Sequence, residues 1–401
     1  MSDQFETFEI EEENDTDGSS PTKKRIIILV VAVLLALIAA FLFINRRHLA
    51  PMKFSEWVSD SFIRIGSGEG YPYSVNANAV NDIAAFNKDS AILTDASLII
   101  LNSSSKEITN RQLTYSNPVM KTSIDRILVY DVGGNSFSVH TRSSQVFEGS
   151  TKNAISVCAI GDYGNFAVAT RDDVYSGSVT FYSYKFREEF TWNSGNSYII
   201  ALALSPDGEY GAAVTLNARN GNAYSTVYLF NFETGATLTH EPENIVISNV
   251  AFNDDGTLSM ISDNGAIISD FGDGSFIIRD DSVKYEAIGT MSYACCDNGN
   301  YIATISKAYE NNDIYTLNYI NHKYETSFSA TIEEKVYDVY TSEKYCAVLT
   351  DKSIHVYDYE GALISSVSVD SLGADSNVQK VLLCKSELYA LTTNQIISVE
   401  Y

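Results

Sequence analysis

The chain is short of the residues that carry most catalytic and metal-binding chemistry. Its 401 residues include only five His, five Cys and two Trp, and no two His stand at metal-ligand spacing. No C-x-x-C pair, H-E-x-x-H helix, G-x-S-x-G elbow or G-x-x-x-x-G-K-[ST] loop occurs. These absences argue against a structural zinc site, a zinc protease, an elbow-type serine hydrolase and a P-loop enzyme. We therefore expect no catalytic residues, no metal and no cofactor.

Basic residues are scarce as well, which restricts the class of partner. The chain has 27 Lys and Arg against 51 Asp and Glu, for a formal net charge of −24. So acidic a surface repels phosphate backbones, and nucleic-acid binding is not expected. The cysteines are odd in number and widely spread, which indicates separate buried thiols and not a disulfide framework. They are Cys158, Cys295, Cys296, Cys346 and Cys384.

One long apolar run stands near the N-terminus. Ile26 to Ile44 contains no polar side chain, and Lys23 to Arg25 and Arg46 to Arg47 flank it. A helix of that length crosses about 28 Å, close to the thickness of a bilayer core. The pattern predicts a transmembrane helix over 25–47 that acts as an uncleaved signal anchor, with a cleaved signal peptide as the alternative. Residues 1–24 are predicted to be a disordered acidic tail and residues 48–60 a linker.

A repeat dominates the remainder of the chain. Four segments align without gaps on a glycine, with Ala five residues before it and apolar residues four before and two after. Asp or Asn near the glycine indicates a tight hairpin turn, because glycine accepts positive φ. The aligned glycines are Gly164, Gly208, Gly256 and Gly299.

Weaker copies of the same unit lack the glycine. They are centred on Ser90, Arg126, Lys344 and Glu387, so that eight units follow one another at intervals of 36 to 48 residues. A period of this size with strand chemistry throughout is typical of four-stranded propeller blades. We predict an all-β, eight-bladed propeller over 61–401. Seven blades is the alternative if the unit at Arg126 is misread.

The two ends of the repeat region suggest how the ring closes. The last unit stops after its third strand, at Ile396 to Tyr401, and Phe62 to Ile65 is a strand-like segment without a blade of its own. Placing Phe62–Ile65 as the missing fourth strand would remove the exposed edges. The N-terminal strand is therefore expected to complete the eighth blade.

The pattern resembles the WD-repeat and YVTN-like β-propeller superfamily. Ser205-Pro206-Asp207-Gly208 is typical of its blades, whereas the Gly-His start and Trp-Asp end of a WD repeat are missing. The layout also looks like that of a membrane-anchored propeller family of unknown function. The resemblance implies the fold far more than an activity.

Loop length gives the one indication of a binding site. Between their second and third strands, three units carry long polar stretches, at 171–176, 217–225 and 306–313. Propeller loops of one kind emerge on one face, and Arg and Tyr are enriched at interface hot spots. The candidate binding residues are Arg171, Tyr175, Arg219, Tyr224, Tyr309 and Glu310. Ordinary loop variability would explain the same lengths.

These features favour a non-enzymatic interaction module at the cell envelope, binding a protein or an envelope polymer. The alternative is a propeller enzyme or ligand sensor that uses the central channel, of the lactonase-like or quinone-binding type. Lys and Arg counts near the two ends of the apolar run are equal. The Lys- and Arg-poor composition of the large domain favours an extracytoplasmic propeller, a cytoplasmic tail and a single pass through the plasma membrane.

Overall fold

The computed structural model describes a large part of the chain. The described residues are 21–44, 55–56, 58–60, 66–75, 79–243, 245–263, 265–272, 274–278, 291–297, 300–307, 313–321, 323, 327–373, 377–384 and 387–401. The chain divides into two compact units, Met1–Ser55 and Glu56–Tyr401.

The first unit contains helix α1, Pro21–Ile44. Its described apolar side chains, among them Ile28 and Leu29, are exposed. Within the residues given above, no helix combines the length and the apolar character that a membrane crossing requires. The transmembrane segment over 25–47 therefore stays a prediction.

The second unit is an eight-bladed β-propeller, as the repeat predicts. Eight sheets of four antiparallel strands each follow one another along the chain. The first four blades comprise β2 Val80–Phe86, β3 Asp89–Thr94, β4 Ser97–Leu101 and β5 Glu107–Gln112; β6 Pro118–Thr122, β7 Ile127–Asp131, β8 Ser136–His140 and β9 Gln145–Ser150; β10 Ile155–Ile160, β11 Phe166–Thr170, β12 Gly177–Tyr182 and β13 Glu188–Ser194; and β14 Tyr198–Leu204, β15 Tyr210–Arg219, β16 Asn222–Asn231 and β17 Thr237–His240.

The remaining four blades repeat the arrangement. They comprise β18 Ile247–Phe252, β19 Leu258–Ser262, β20 Gly265–Gly272 and β21 Ser275–Ile278; β22 Met291–Asp297, β23 Tyr301–Lys307, β24 Tyr315–Asn321 and β25 Ser327–Ile332; β26 Val336–Thr341, β27 Tyr345–Thr350, β28 Ser353–Asp358 and β29 Leu363–Ser368; and β30 Lys380–Cys384, β31 Glu387–Leu391, β32 Gln395–Val399 and β1 Tyr73–Ser74. A 3₁₀ helix, Val369–Leu372, follows β29.

Burial within a blade follows the position of the strand. Every residue of the second strand β3 is buried, because neighbouring blades cover both faces of a blade. The fourth strand β29 is partly exposed along its length, as expected at the outer rim. The hairpin turns form as predicted, with Gly164, Gly208 and Gly256 at φ between +81° and +87°.

The ring closes with an N-terminal strand, but not with the segment that the sequence pattern indicated. The outer neighbour of β32 is β1, with Tyr73 opposite Ile396 and Ser74 opposite Gln395. Phe62–Ile65, the segment predicted for this role, lies outside the described residues. The assignment of the closing strand is therefore corrected by about ten residues.

Cysteine burial agrees with the sequence. Cys158, Cys346 and Cys384 are buried thiols, while the side chains of Cys295 and Cys296 lie outside the described part.

Candidate functional site

Two kinds of loop share one face of the propeller. Loops between the second and third strands of a blade hydrogen-bond to the connections between blades, as when Arg171 N donates to Ala154 O at 2.9 Å and Asp351 N donates to Lys335 O at 2.9 Å. We call this the top face. The bottom face carries the turns between first and second strands and between third and fourth strands.

Arg171 and Tyr175 lie in the top-face loop of blade 3. The Asp172 carboxylate oxygen Oδ1 accepts hydrogen bonds from Val174 N at 2.8 Å and Tyr175 N at 3.0 Å. These bonds lower the pKa of Asp172. The resulting turn holds Val174 and Tyr175 outward, with 83% and 43% of their surfaces exposed.

Arg219 and Tyr224 lie on the top face of blade 4. They belong to a β-hairpin, where the sequence pattern predicts a loop. The stretch 217–225 was predicted as a long loop, but β15 and β16 stay paired up to Arg219 and Asn222. Only Asn220 and Gly221 form the turn, both at positive φ, as an Asn-Gly hairpin requires. The correction turns a loop into a β-hairpin that extends beyond the blade.

Arg219 and Tyr224 are in contact on this hairpin. The Arg219 guanidinium lies 4.4 Å from the centre of the Tyr224 ring, and its Nη1 donates to Glu241 Oε1 at 2.9 Å. The other two predicted residues, Tyr309 and Glu310, lie outside the described residues. Of the four predicted binding residues that the structure describes, Arg219 and Tyr224 are in contact.

Two aromatic residues that the loop-length argument missed lie beside this pair. Tyr228 stands four residues after Tyr224 in β16, on the same face of the strand. Its ring centre is 4.5 Å from that of Trp192, which comes from β13 of blade 3. Burial raises the pKa of Tyr228, with smaller contributions from Tyr224 and Glu241. We call Trp192, Arg219, Tyr224, Tyr228 and Glu241 the blade 4 patch.

The connection between blades 3 and 4 holds the surrounding elements in place. Asn217 Nδ2 donates to Asn196 O at 3.0 Å and Ser197 Oγ at 3.1 Å, and Ser176 N donates to Gly195 O at 3.1 Å. Tyr198, the next residue along, is 65% exposed. The hairpin of blade 4 and the loop of blade 3 therefore flank the same short connection.

The central channel is the second candidate site. A cavity of about 450 Å³ is lined by the first strands β10, β14 and β18, and by Lys121, Asp162 and Asp254. Small side chains such as Ala159, Ala203 and Ala251 leave this space, and its volume falls within the range of small-molecule sites.

A group of charged residues lies on the first strands of blades 1, 7 and 8. Lys380 Nζ is 2.6 Å from Asp82 Oδ1, and Val381 N donates to Asp338 Oδ2 at 2.9 Å. Burial raises the pKa of Asp338 to about 6. These contacts join the blades on either side of the ring closure.

Among the described residues, neither a metal-binding cluster nor a histidine lies on the first strands. No group of three or more His, Cys, Asp and Glu among them could hold a metal ion. The three described histidines, His140, His240 and His355, belong to third and fourth strands. Burial lowers the pKa of His140 to about 3, so it stays neutral.

Comparison with known proteins supports the fold. No curated protein matches the sequence. The C-terminal WD40 domain of Sif2 aligns with a TM-score of 0.59 at 11% identity, over 83% of this chain and 99% of that one. The β-propeller domain of Cps50 (Swd1) from Myceliophteria thermophila aligns with a TM-score of 0.51 at 10% identity, over 82% and 98%. At such identities the likeness concerns the fold alone.

One family model matches most of the propeller. Its description reads "Family of unknown function (DUF5711)", and it covers residues 72–399. The matched range begins beside the closing strand β1 and ends at the last residue of β32. The residues that the family model matches are therefore nearly the same as those that form the closed ring.

Proposed function

We propose that this chain, which belongs to the DUF5711 family of unknown function, is a non-enzymatic interaction module that binds its partner through the top face of blades 3 and 4. The observation that carries this proposal is the blade 4 patch. Aromatic residues and Arg dominate binding energy at interfaces, and here they come from two blades held in one rigid ring.

Exposed apolar residues around the patch support the same surface. Val174 and Tyr175, in the loop of blade 3, and Tyr198, at the start of β14, are exposed beside it. Single exposed apolar residues are ordinary, whereas several on one sector of the surface mark an interaction site. Asp172 and Asp173 add acidic groups to the sector, where Glu241 is already paired with Arg219. A polypeptide with basic and apolar side chains is therefore the partner that fits best.

The first described residues of the propeller unit lie away from this surface. Glu56 and Asp60, at the start of the propeller unit, contact Arg126 and the turn at Thr141. Both positions belong to bottom-face turns. The chain therefore enters the propeller on the face opposite the blade 4 patch.

The proposal includes anchorage in the plasma membrane by the apolar run Ile26–Ile44, with the propeller outside the cell. What supports it is the nineteen-residue run itself, its flanking basic residues and the exposed apolar side chains of α1. Protease treatment of intact cells tests the topology. Digestion of the propeller before lysis is expected, and a propeller protected until lysis would contradict the orientation.

Site-specific photo-crosslinking in native membranes tests the binding surface. A photoreactive side chain replaces Tyr224 on the patch or, as control, the exposed Glu233 on the bottom face. We expect one discrete adduct from position 224 and none from 233, with the adduct weakened by Trp192→Ala in the same chain. Equal adducts from both positions, or none from either, would contradict the assignment.

The channel supports the second candidate, a ligand sensor or propeller enzyme. Its cavity and the Asp82–Lys380 pair are the observations in favour. Metal analysis and thermal-shift screening of the purified protein distinguish this hypothesis from the interaction module. A stoichiometric ion, or a ligand whose stabilising effect is lost in Asp254→Asn at the cavity wall, would favour the channel.

A further inference from the structure

Arg126 is the largest fully buried side chain of the described residues, with 1% of its side chain exposed. It stands in the bottom-face turn between β6 and β7 of blade 2. Its Nη1 donates to the carbonyls of Gly164 at 3.0 Å and Tyr184 at 2.8 Å, and its guanidinium lies 4.7 Å from the Phe186 ring centre. Blade 3 thus forms one side of its binding pocket.

The counterion of Arg126 comes from outside the blades. Nη2 donates to Glu56 Oε1 at 2.9 Å and Oε2 at 3.0 Å, and Nε donates to Oε2 at 3.2 Å. With the two carbonyls, these bonds engage all three nitrogens of the guanidinium. A bidentate carboxylate is the ligand for which such a fork is best suited.

A second acidic residue is bound one helical turn later. Asp60 Oδ1 accepts from Ser143 N at 3.0 Å and Thr141 Oγ1 at 3.2 Å, and Oδ2 accepts from Arg142 N at 3.2 Å. Arg142 Nη1 donates to the Asp60 carbonyl at 2.9 Å. Residues 55–56 and 58–60 are helical, so Glu56 and Asp60, four apart, lie on one face.

The position of Arg126 in the repeat shows that this pocket is specific to blade 2. The turn closes with a hydrogen bond from Ser123 N to Arg126 O, and the residue that accepts the corresponding bond is Asn165 in blade 3 and Thr257 in blade 5, neither of them charged. A buried charge without its counterion is strongly destabilising. An arginine buried at a turn position that carries an uncharged residue in blades 3 and 5 therefore requires an acidic ligand there.

We infer that the bottom face of blades 2 and 3 is a docking site for a helical turn with two carboxylates four residues apart, and that Glu56–Asp60 occupies it in cis. The site has two halves, a buried guanidinium and the backbone N–H groups of Arg142 and Ser143. Its occupant fastens the chain that enters the propeller. The inference does not depend on the top-face partner, because the two surfaces lie on opposite faces.

A peptide-binding experiment on the full chain tests the site. Glu56→Ala with Asp60→Ala empties it, and a fluorescent peptide of residues 50–66 is titrated by anisotropy. We expect saturable binding to the emptied protein and binding at least about 100-fold weaker to the unaltered chain, because a tethered ligand acts at an effective concentration in the millimolar range. A peptide with Gln and Asn at the two acidic positions is the matched control.

Adding Arg126→Met to the emptied protein should abolish binding. Failure of the emptied, folded protein to bind the peptide would overturn the inference, and so would equal binding to the unaltered chain. Equal binding of the control peptide would do the same.

A second measurement covers the case in which the emptied protein does not fold. Asp60→Asn leaves the Arg126–Glu56 pair intact. Hydrogen exchange of the Arg142 and Ser143 amides should accelerate at least about tenfold in this variant, while the Val381 amide stays protected. Unchanged exchange at Arg142 and Ser143 would show that Asp60 does not hold the docked turn, and would overturn the two-carboxylate site.

Discussion

Asp338 makes the stability of the propeller depend on pH in a direction opposite to that of most carboxylates. It lies on the first strand of blade 7, where its Oδ2 accepts the Val381 N–H at 2.9 Å. Burial raises its pKa from 3.8 to about 6, against the attraction of Lys380. The Asp338→Asn variant keeps an acceptor oxygen for Val381 and removes the titrating group.

The direction follows from proton binding. Between pH 3.8 and about 6 the folded protein holds a proton on Asp338 that the unfolded chain has released, so the contribution of Asp338 to stability falls as pH rises through this window. The loss is nearly complete about one pH unit above the pKa of the folded state. A shift of roughly two units at 1.36 kcal/mol each corresponds to about 3 kcal/mol.

Urea unfolding of the full chain between pH 4 and 7.5 measures this effect. The free energy of unfolding of Asp338→Asn, minus that of the unaltered protein, should rise by up to about 3 kcal/mol from pH 4 to pH 7. Asp173→Asn, at an exposed loop position, is the matched control and should give a flat difference. A flat or falling difference for Asp338→Asn would refute the buried-carboxylate reasoning.

Two further predictions concern packing. A Cβ at Gly68 would clash with the backbone at Lys106 N and Ser104 O, whereas a Cβ at Gly195 meets nothing within 4 Å. Urea unfolding should therefore show a loss of stability of about 1–3 kcal/mol for Gly68→Ala and a change within about 0.5 kcal/mol for Gly195→Ala. Equal losses would contradict the packing of the segment around Gly68. Cys158, Cys346 and Cys384 are buried, so each should react with a maleimide only in denaturant. Burial also raises the pKa of the Cys158 thiol well above its usual value. Fast labelling of any of the three in the native protein, located by mass spectrometry, would contradict their burial.

Much of the fold could be predicted because each blade repeats the same local chemistry. Gly164, Gly208 and Gly256 give the turn between the first two strands, and apolar residues at fixed distances from them give the flanking strands. Even the weak unit at Arg126 is a true blade. The period predicts eight blades with seven as the alternative, and the eight four-stranded sheets confirm the larger number.

The repeat pattern could not predict the strand that closes the ring. Phe62 to Ile65 has strand-like alternation, whereas Tyr73–Ser74 has two residues and follows Pro72. Its place is decided by the partner edge of β32 and by contacts such as Val75 N to Asn394 O at 2.8 Å. Such long-range pairing leaves no periodic trace in a short segment.

Part of the candidate site could be predicted from the sequence. Asn220-Gly221 is a hairpin signal, and it could have replaced the predicted loop with an extended β-hairpin. Trp192 and Tyr228, in contrast, meet only because blades 3 and 4 pack together. The pairing of Arg126 with Glu56 joins residues seventy positions apart, and only the folded ring brings them into contact.

Disulfide trapping of the ring closure tests the central claim most directly. Antiparallel partners have Cα atoms about 4.5–5.5 Å apart, which suits a disulfide, and Ser74 lies opposite Gln395. Peptide mapping of the oxidised Ser74→Cys/Gln395→Cys protein should find a link between positions 74 and 395 with the fold retained. A link that forms only in Phe62→Cys/Gln395→Cys, or in neither protein, would contradict an eight-bladed ring closed by Tyr73–Ser74.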